Sequence, residues 1–240
     1  GVTAENLVDK YSISREDQDA FAFRSHMKAT AARDAGRLAQ EIIQVNIPRR
    51  KQDDLIFEHD EFIKPDTTVE ILSKLRPAFR KEGGSVTAGN SSGLNDGSAA
   101  LLLANESGLS SSGLTPLAQI ISSAVVGVEP RIMGIGPVRA SEIALKRVGI
   151  TFDDLDVIEL NEAFSAQALA CIRAWGLDDV DSRINPNGGG ISIGHPLGVT
   201  GSRILLAAAR QLERTGGKYG LVTLCIGVGQ GYAVVIKNTQ

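Results

Sequence analysis

Apolar residues follow two regimes along the chain. Up to about residue 95 they are sparse, and only one stretch keeps a helical period. Over Tyr11–Asp34, Ala20, Phe21 and Ala31 share a face, Ser14 and Asp17 form a capping box, and Gly36 ends the run. A strand-like IIQVNI follows, then a charged, irregular run from Pro48 to Thr68, and no clean period returns before KLRPAF. From Ser98 onward the pattern tightens. SAALLLA and PLAQIISSAVV read as strands separated by a short helical or turn piece. Pro137 opens a helix that runs to Val148 and stops at Gly149. DVIEL is a buried strand leading into a helix from Glu162 to about Trp175, and a second helix follows His195-Pro196 to about Arg214. GLVTLCI and GYAVVIK, joined by a glycine turn, predict an antiparallel hairpin. Strands alternating with helices and closing on a hairpin imply an α/β fold: a mixed five-stranded sheet with helices on its faces. No internal repeat or low-complexity linker interrupts it.

Composition narrows the partners more than the fold. The 240 residues are 42% hydrophobic and 22% charged with a net charge of −3, enough for one large domain or two small ones with an ample core. No basic excess or basic–aromatic stripe points to nucleic acid. The apolar runs fall well short of the roughly 20 residues of a membrane span, so no membrane partner is expected. Two cysteines, Cys171 and Cys225, offer no disulfide framework and suggest a reducing, cytoplasmic setting. The chain opens on Gly1, which leaves room for an upstream address segment. No spacing of His, Cys, Asp or Glu suggests a metal site, and neither a phosphate-binding P-loop nor a dinucleotide fingerprint is present.

Candidate chemistry gathers in two glycine-rich turns. His195 lies in NPNGGGISIGHPLGVTGSR where a helix is expected to begin, so backbone N–H groups and the helix terminus would disfavour an imidazolium. Cys225 ends a strand just before Gly227 and Gly229, and it reads as a thiol projecting from a sheet edge with a pKa that a nearby base could lower. The bland readings are a surface histidine capping a helix and a small buried hydrophobe. Asn161, between VIEL and EAF, is either an N-cap or a site residue at the end of a buried strand. Cys171 falls at helical spacing with Phe164, Ala168, Ile172 and Trp175 and reads as core filling. His26 and His59 are expected to be solvated.

GVTAENLVDKYSISREDQDAFA, KLRPAF, TAGNSSGLNDGSAA, MGIGPV, ELNEAFSAQALA, NPNGGGISIGHPLG and CIGVGQG, in this order, resemble the C-terminal part of thiolases, the acyltransferases that make or cleave 3-oxoacyl-CoA. The resemblance covers essentially the whole chain. It implies that residues 1–95 are part of the loop region that covers CoA and that residues 96–240 are the C-terminal domain. It implies that His195 is the base that activates the acyl-accepting nucleophile, and that it shares an oxyanion hole with a water held by Asn161. Cys225 would be the acid/base at the acetyl-CoA methyl, and the N–H of Gly227 would serve a second oxyanion hole. Ser92, Ala88, Phe79 and Leu94 fall on positions contacting the pantetheine, Ala163, Phe164 and Met133 on the acyl side, and Lys64 near the CoA nucleotide. CoA and acyl-CoA are then substrates, with no permanently bound cofactor, and the full-length protein is expected to be a homodimer or homotetramer.

One departure matters. Thiolases consist of two similar halves, and the nucleophilic cysteine belongs to the first, which these residues do not match. Cys171 has the wrong context, and Cys225 already fills the acid/base motif. Without a nucleophile the two-step acyl transfer cannot run, so this chain alone is expected to be inactive. The CIGVGQG and MGIGPV runs look more like degradative β-ketoadipyl-CoA or broad 3-oxoacyl-CoA thiolases than the biosynthetic acetoacetyl-CoA type. The rival reading is a non-catalytic thiolase-like module for CoA or lipid binding or for scaffolding. A ketoacyl synthase would carry a second histidine in place of Cys225.

Overall fold

Helices α1 (Val2–Tyr11) and α2 (Arg15–Asp34) open the chain in the computed structural model, which describes residues 1–240. The expected cap is present, the Asp17 N–H donating to Ser14 Oγ at 3.0 Å. The helix therefore begins at Arg15, and the preceding residues form a separate helix that buries Leu7 completely. Strand β1 (Val45–Ile47) forms within the strand-like IIQVNI and pairs antiparallel with β2 (Leu55–Phe57), which lies inside the run that reads as irregular. Short helices α3 (Val69–Ser73) and α4 (Glu106–Ser112) follow.

The main sheet comprises β3 (Ala118–Gly127), β4 (Val157–Leu160), β5 (Tyr219–Ile226) and β6 (Gln230–Asn238), in the order β3-β6-β5-β4. Only β4 and β5 run parallel. The mixed sheet is as expected, but its strands number four, not five. SAALLLA is not a strand: no sheet edge receives it, and Leu102 and Leu103 are 80% and 71% exposed. Beyond β4 the sheet continues only as a single parallel bridge between Ile158 and Ile184.

Helices α5 (Gly136–Val148) and α6 (Ser165–Ala174) cover one face, and α8 (Thr200–Thr215) covers the other. The period-2 alternation of the strands explains the sorting. Ile158, Leu160, Leu221 and Val235 point toward Ala140, Ala144 and Leu169, whereas Val157, Val222, Val234 and Ile236 meet Ile204, Ala208 and Leu212. Burying each large aliphatic side chain contributes about 1.5–3 kcal/mol. Helices α1 and α2 pack outside α6, so the first region rests on the helix layer that covers the sheet rather than apart from it. Between α6 and α8 lies a one-turn helix, α7 (Gly190–Ile193).

This arrangement fixes where chemistry can occur. In the parallel register Leu160 lies opposite Thr223, and the Asn161 N–H donates to Thr223 O at 3.0 Å. Asn161 and Cys225 therefore occupy neighbouring C-terminal strand ends, where α/β sheets bind their ligands.

Candidate active site

Asn161 is buried and is not an N-cap. Helix α6 starts three residues later than the sequence suggests, with Phe164 at its cap and no side-chain bond there. The Asn161 amide instead faces His195, its Nδ2 lying 3.3 Å from the ring Nε2. Its Oδ1 is buried with no protein partner.

His195 does not stand at a helix N-terminus. It follows α7 and precedes α8, whose first residue is Thr200. Gly194 makes the turn possible: its φ is +107°, and a Cβ there would meet Asn95 Oδ1 at 2.6 Å. The same oxygen accepts the His195 N–H at 3.2 Å.

The ring's tautomer follows from proton counting. Thr200 Oγ1 donates its only proton to Pro196 O at 3.0 Å. With that proton so placed, its 2.7 Å contact with His195 Nδ1 is accepted from an Nδ1–H, which matches an Asn161 Nδ2 that can only donate to Nε2. That leaves the lone pair on Nε2, facing the Asn161 N–H. Burial, and then the charge of Arg203, lowers the His195 pKa, so the ring is a neutral base near pH 7.

Cys225 departs from expectation. Strand β5 lies inside the sheet, not at its edge, and the thiol is 8% exposed. Burial pushes its pKa up to about 11 rather than down. Next to it, Gly227 is exposed in the β5–β6 turn, where Val228 has φ +68° and Gly229 φ +99°. Cys171 is core filling, as read from its spacing. It is fully buried, donates to Gly134 O at 3.3 Å, and has its pKa raised by burial.

The 88–95 segment is zipped against the Asn161 loop. The Ser92 N–H donates to Ala163 O at 3.0 Å, the Ser165 N–H to Asn90 O at 2.9 Å, and Ser91 bridges Phe164. Phe79 stacks edge-on against Phe164 with ring centres 6.1 Å apart. Ala88 lies exposed in a turn closed by Thr87 and Asn90, and Leu94 is 89% exposed. Met133 is half-buried beside Gly134, whose neighbour Gln167 accepts the Ala163 N–H at 3.2 Å. Lys64 lies over the Phe62 ring, 4.9 Å from its centre, and that ring covers Gly93.

His26 corrects the sequence reading. It is 4% exposed, its Nδ1 accepts the Lys64 N–H at 3.2 Å, and burial holds its pKa down to about 4. His59 is exposed, as expected. Three residues missed in the sequence also bear on the site: Asn95, Thr200 and the buried Glu162. Asn95 and Glu162 bond partners more than twenty residues away in the chain, and Thr200 bonds back into the loop before its helix, so no periodicity marks them.

Residues 1–107 match the family description "Thiolase, N-terminal domain", and residues 114–238 match "Thiolase, C-terminal domain", so the chain is not confined to the C-terminal part as its motifs suggest: its first region belongs to the N-terminal domain. The β-ketoadipyl-CoA thiolase of Pseudomonas aeruginosa is 53% identical over 236 residues, which is 98% of this chain and 58% of that protein. The acetyl-CoA acetyltransferase of Chromobacterium violaceum is 50% identical, covering 99% of this chain and 60% of that protein. The crystal structures of the Bacillus anthracis acetyl-CoA acetyltransferase and human mitochondrial 3-ketoacyl-CoA thiolase superpose with a TM-score of 0.94 at 46% identity. They match 99% and 100% of this chain, and 59% of each of theirs. The chain thus spans about three fifths of the length of these relatives. Identity of this order across nearly the whole chain leaves one conclusion: the chain belongs to the thiolase family.

Proposed function

We propose that these residues form the acid/base half of a degradative thiolase site, which cleaves a 3-oxoacyl-CoA into acetyl-CoA and a shortened acyl-CoA. The observation that carries this reading is the 3.3 Å approach of His195 Nε2 to the amide of Asn161, whose strand end neighbours that of Cys225. His195 Nε2 takes the proton of the attacking thiol, and Asn161 Nδ2 helps hold the thioester oxygen or a water beside it. Cys225 exchanges a proton with the acetyl C2, and the exposed Gly227 N–H receives the enolate oxygen. Losing such a donor costs about 3 kcal/mol of barrier.

With its pKa held at about 11, the Cys225 thiol stays protonated near neutrality, so it is ready to donate to the enolate that C–C cleavage releases. Ser92, Ala88, Phe79 and Leu94 line the pantetheine path in this reading, with Ala163, Phe164 and Met133 toward the acyl group and Lys64 toward the nucleotide. Similarity to β-ketoadipyl-CoA thiolases, including the 3-oxoadipyl-CoA/3-oxo-5,6-dehydrosuberyl-CoA thiolase of Escherichia coli at 50% identity, supports a dicarboxylic 3-oxoacyl-CoA as substrate. Full-length assembly as a homodimer or homotetramer in the cytoplasm belongs to the same proposal.

The chain alone lacks the nucleophile. Its only cysteine besides Cys225 is Cys171, which is fully buried and bonded to a carbonyl. The test fuses these 240 residues behind the unmatched first part of the P. aeruginosa enzyme and follows CoA-dependent cleavage of 3-oxoadipyl-CoA. Turnover is expected from the fusion, none from the chain alone, and none after His195→Ala or Cys225→Ala. A well-folded fusion without turnover would sink the catalytic reading, and turnover by the chain alone would sink the claim that it lacks a nucleophile.

A further inference from the structure

We infer that Glu162 is a positioning residue, the hub of a buried network that sets the approach of Asn161 to His195 and ties it to helix α2. Glu162 is 1% exposed, and both its oxygens are engaged. Ser25 Oγ, on α2, donates to Oε2 at 2.6 Å. The Ile191 N–H, at the start of α7, also donates to Oε2, at 3.3 Å. Asn185 Nδ2 donates to Oε1 at 2.7 Å. Asn185 in turn grips the end of β4, accepting the Leu160 N–H and donating to Leu160 O, both at 2.8 Å.

The residues on either side of Asn161 are thus held through one carboxylate and one amide. The segment that leads into His195 is held by the same group. Ser25 Oγ lies 2.9 Å from Ser192 Oγ and accepts the Gly189 N–H at 3.3 Å. Gly189 has no room for a side chain, since a Cβ would lie 2.3 Å from the Glu162 carboxyl carbon. Lys28 and Arg24, also on α2, share the wall of a small cavity with Glu162 and offset its charge.

A buried carboxylate with three donors is strongly ordered, and stripping a donor leaves a costly unsatisfied charge. The arrangement makes geometric sense as a brace. Asn161 and His195 sit on separate turns 34 residues apart and touch at 3.3 Å with no other direct link. Three segments, from α2, the Asn185 turn and α7, converge on the one residue adjacent to Asn161. A shift of α2 is therefore transmitted to the pair.

The assignment matters for catalysis only if Asn161 and His195 act as proposed, but its test reads geometry and needs no turnover. The 240-residue chain has three histidines, so its ring-nitrogen spectra are simple. The measurement follows the His195 ring nitrogens and the Asn161 side-chain amide in wild type, Ser25→Ala and Ser25→Thr at pH 8. Alanine keeps α2 helical and leaves the charge balance unchanged. Ser25→Ala is expected to release the Asn161 amide from Nε2, speeding its hydrogen exchange about tenfold, the equivalent of one lost hydrogen bond. His59 should stay unchanged, and Ser25→Thr, which keeps the hydroxyl, should restore the wild-type signals. Thr30→Ala deletes another α2 hydroxyl, one bonded only to His26 O, and serves as the comparator. If folded Ser25→Ala leaves the Asn161 amide unmoved, or Thr30→Ala moves it equally, the positioning role is overturned. Should Ser25→Ala fail to fold, Glu162→Gln, which keeps the shape and removes the carboxylate that receives Ser25, Asn185 and Ile191, reads the same hub with the same two outcomes.

Discussion

At the end of β5 the Cys225 thiol is shielded by the sheet and by helices on its face, and no base lies within hydrogen-bond reach to draw off its proton. Its reactivity should follow the thiolate fraction. Alkylation by iodoacetamide is expected to rise about tenfold per pH unit from neutrality and to level off only near pH 11, with Cys171 untouched throughout. Mass spectrometry of the labelled chain across that range checks both sites. A plateau near pH 8.5 would mean that burial does not raise the thiol's pKa, and that the site around Cys225 is more open than the structure shows. His195, Cys225 and Asn161 stand out in the sequence because glycine-rich turns and a polar residue after a buried strand are unusual surroundings, and the structure brings His195 against Asn161 with Cys225 on the neighbouring strand end. The electrostatics were not. Whether burial or a neighbouring charge dominates a thiol depends on what packs across it, and spacing along the chain does not record that. Glu162 was missed for a related reason, since its partners lie far along the chain on α2, in the Asn185 turn and at the start of α7.

Among the elements, the helices and hairpin that carry their own boundary signals formed where those signals stand. Pro137 and Gly149 bracket α5, and the glycine turn after Ile226 joins β5 to β6. Elements that depend on a partner did not. SAALLLA has the composition of a strand, but pairing makes a strand, and residues 98–104 take part in no backbone ladder. The following helix α4 buries none of its residues. This segment should therefore open first. Brief thermolysin digestion is expected to cut at Leu102–Leu103 before any site in β4 to β6, as read by intact mass. Leu102→Asp with Leu103→Asp should change stability by less than about 0.5 kcal/mol, as expected for exposed positions away from packed features. The same double variant should reduce concentration-dependent self-association in sedimentation velocity, because it removes a contiguous apolar surface. First cuts elsewhere, or a large loss of stability, would show that the segment is packed after all.

The molecule's response to pH as a whole is set by groups whose burial pulls in opposite directions. His26 has its pKa lowered to about 4 by burial and then by the charge of Lys64, so the unfolded chain binds the extra proton between about pH 4 and 6.5. Its contribution is therefore complete above 6.5 and is lost as pH falls through 4. Glu159 has the reverse sign. It is fully buried, and its carboxyl is raised to about 8 by burial, only partly offset by Arg203. The folded chain holds a proton there that the unfolded chain releases above about 4.5, so this contribution is complete below 4.5 and is lost as pH rises through 8. Glu41 and Asp60, also raised by burial, add to the alkaline loss. Between about pH 4.5 and 6.5 the His26 and Glu159 slopes oppose each other, and above that window the decline is unopposed. Glu159→Gln, isosteric and always neutral, removes one slope. It should stabilise the chain increasingly from pH 5 to pH 8, by about 2–4 kcal/mol at the upper end, while His26→Gln should gain only on the acid side. Urea unfolding at pH 5, 6.5 and 8 measures this directly. Parallel midpoints for wild type and Glu159→Gln would show that the carboxylate finds a partner when charged, with Arg203, whose Nε and Nη2 are buried and unpaired, the nearest candidate.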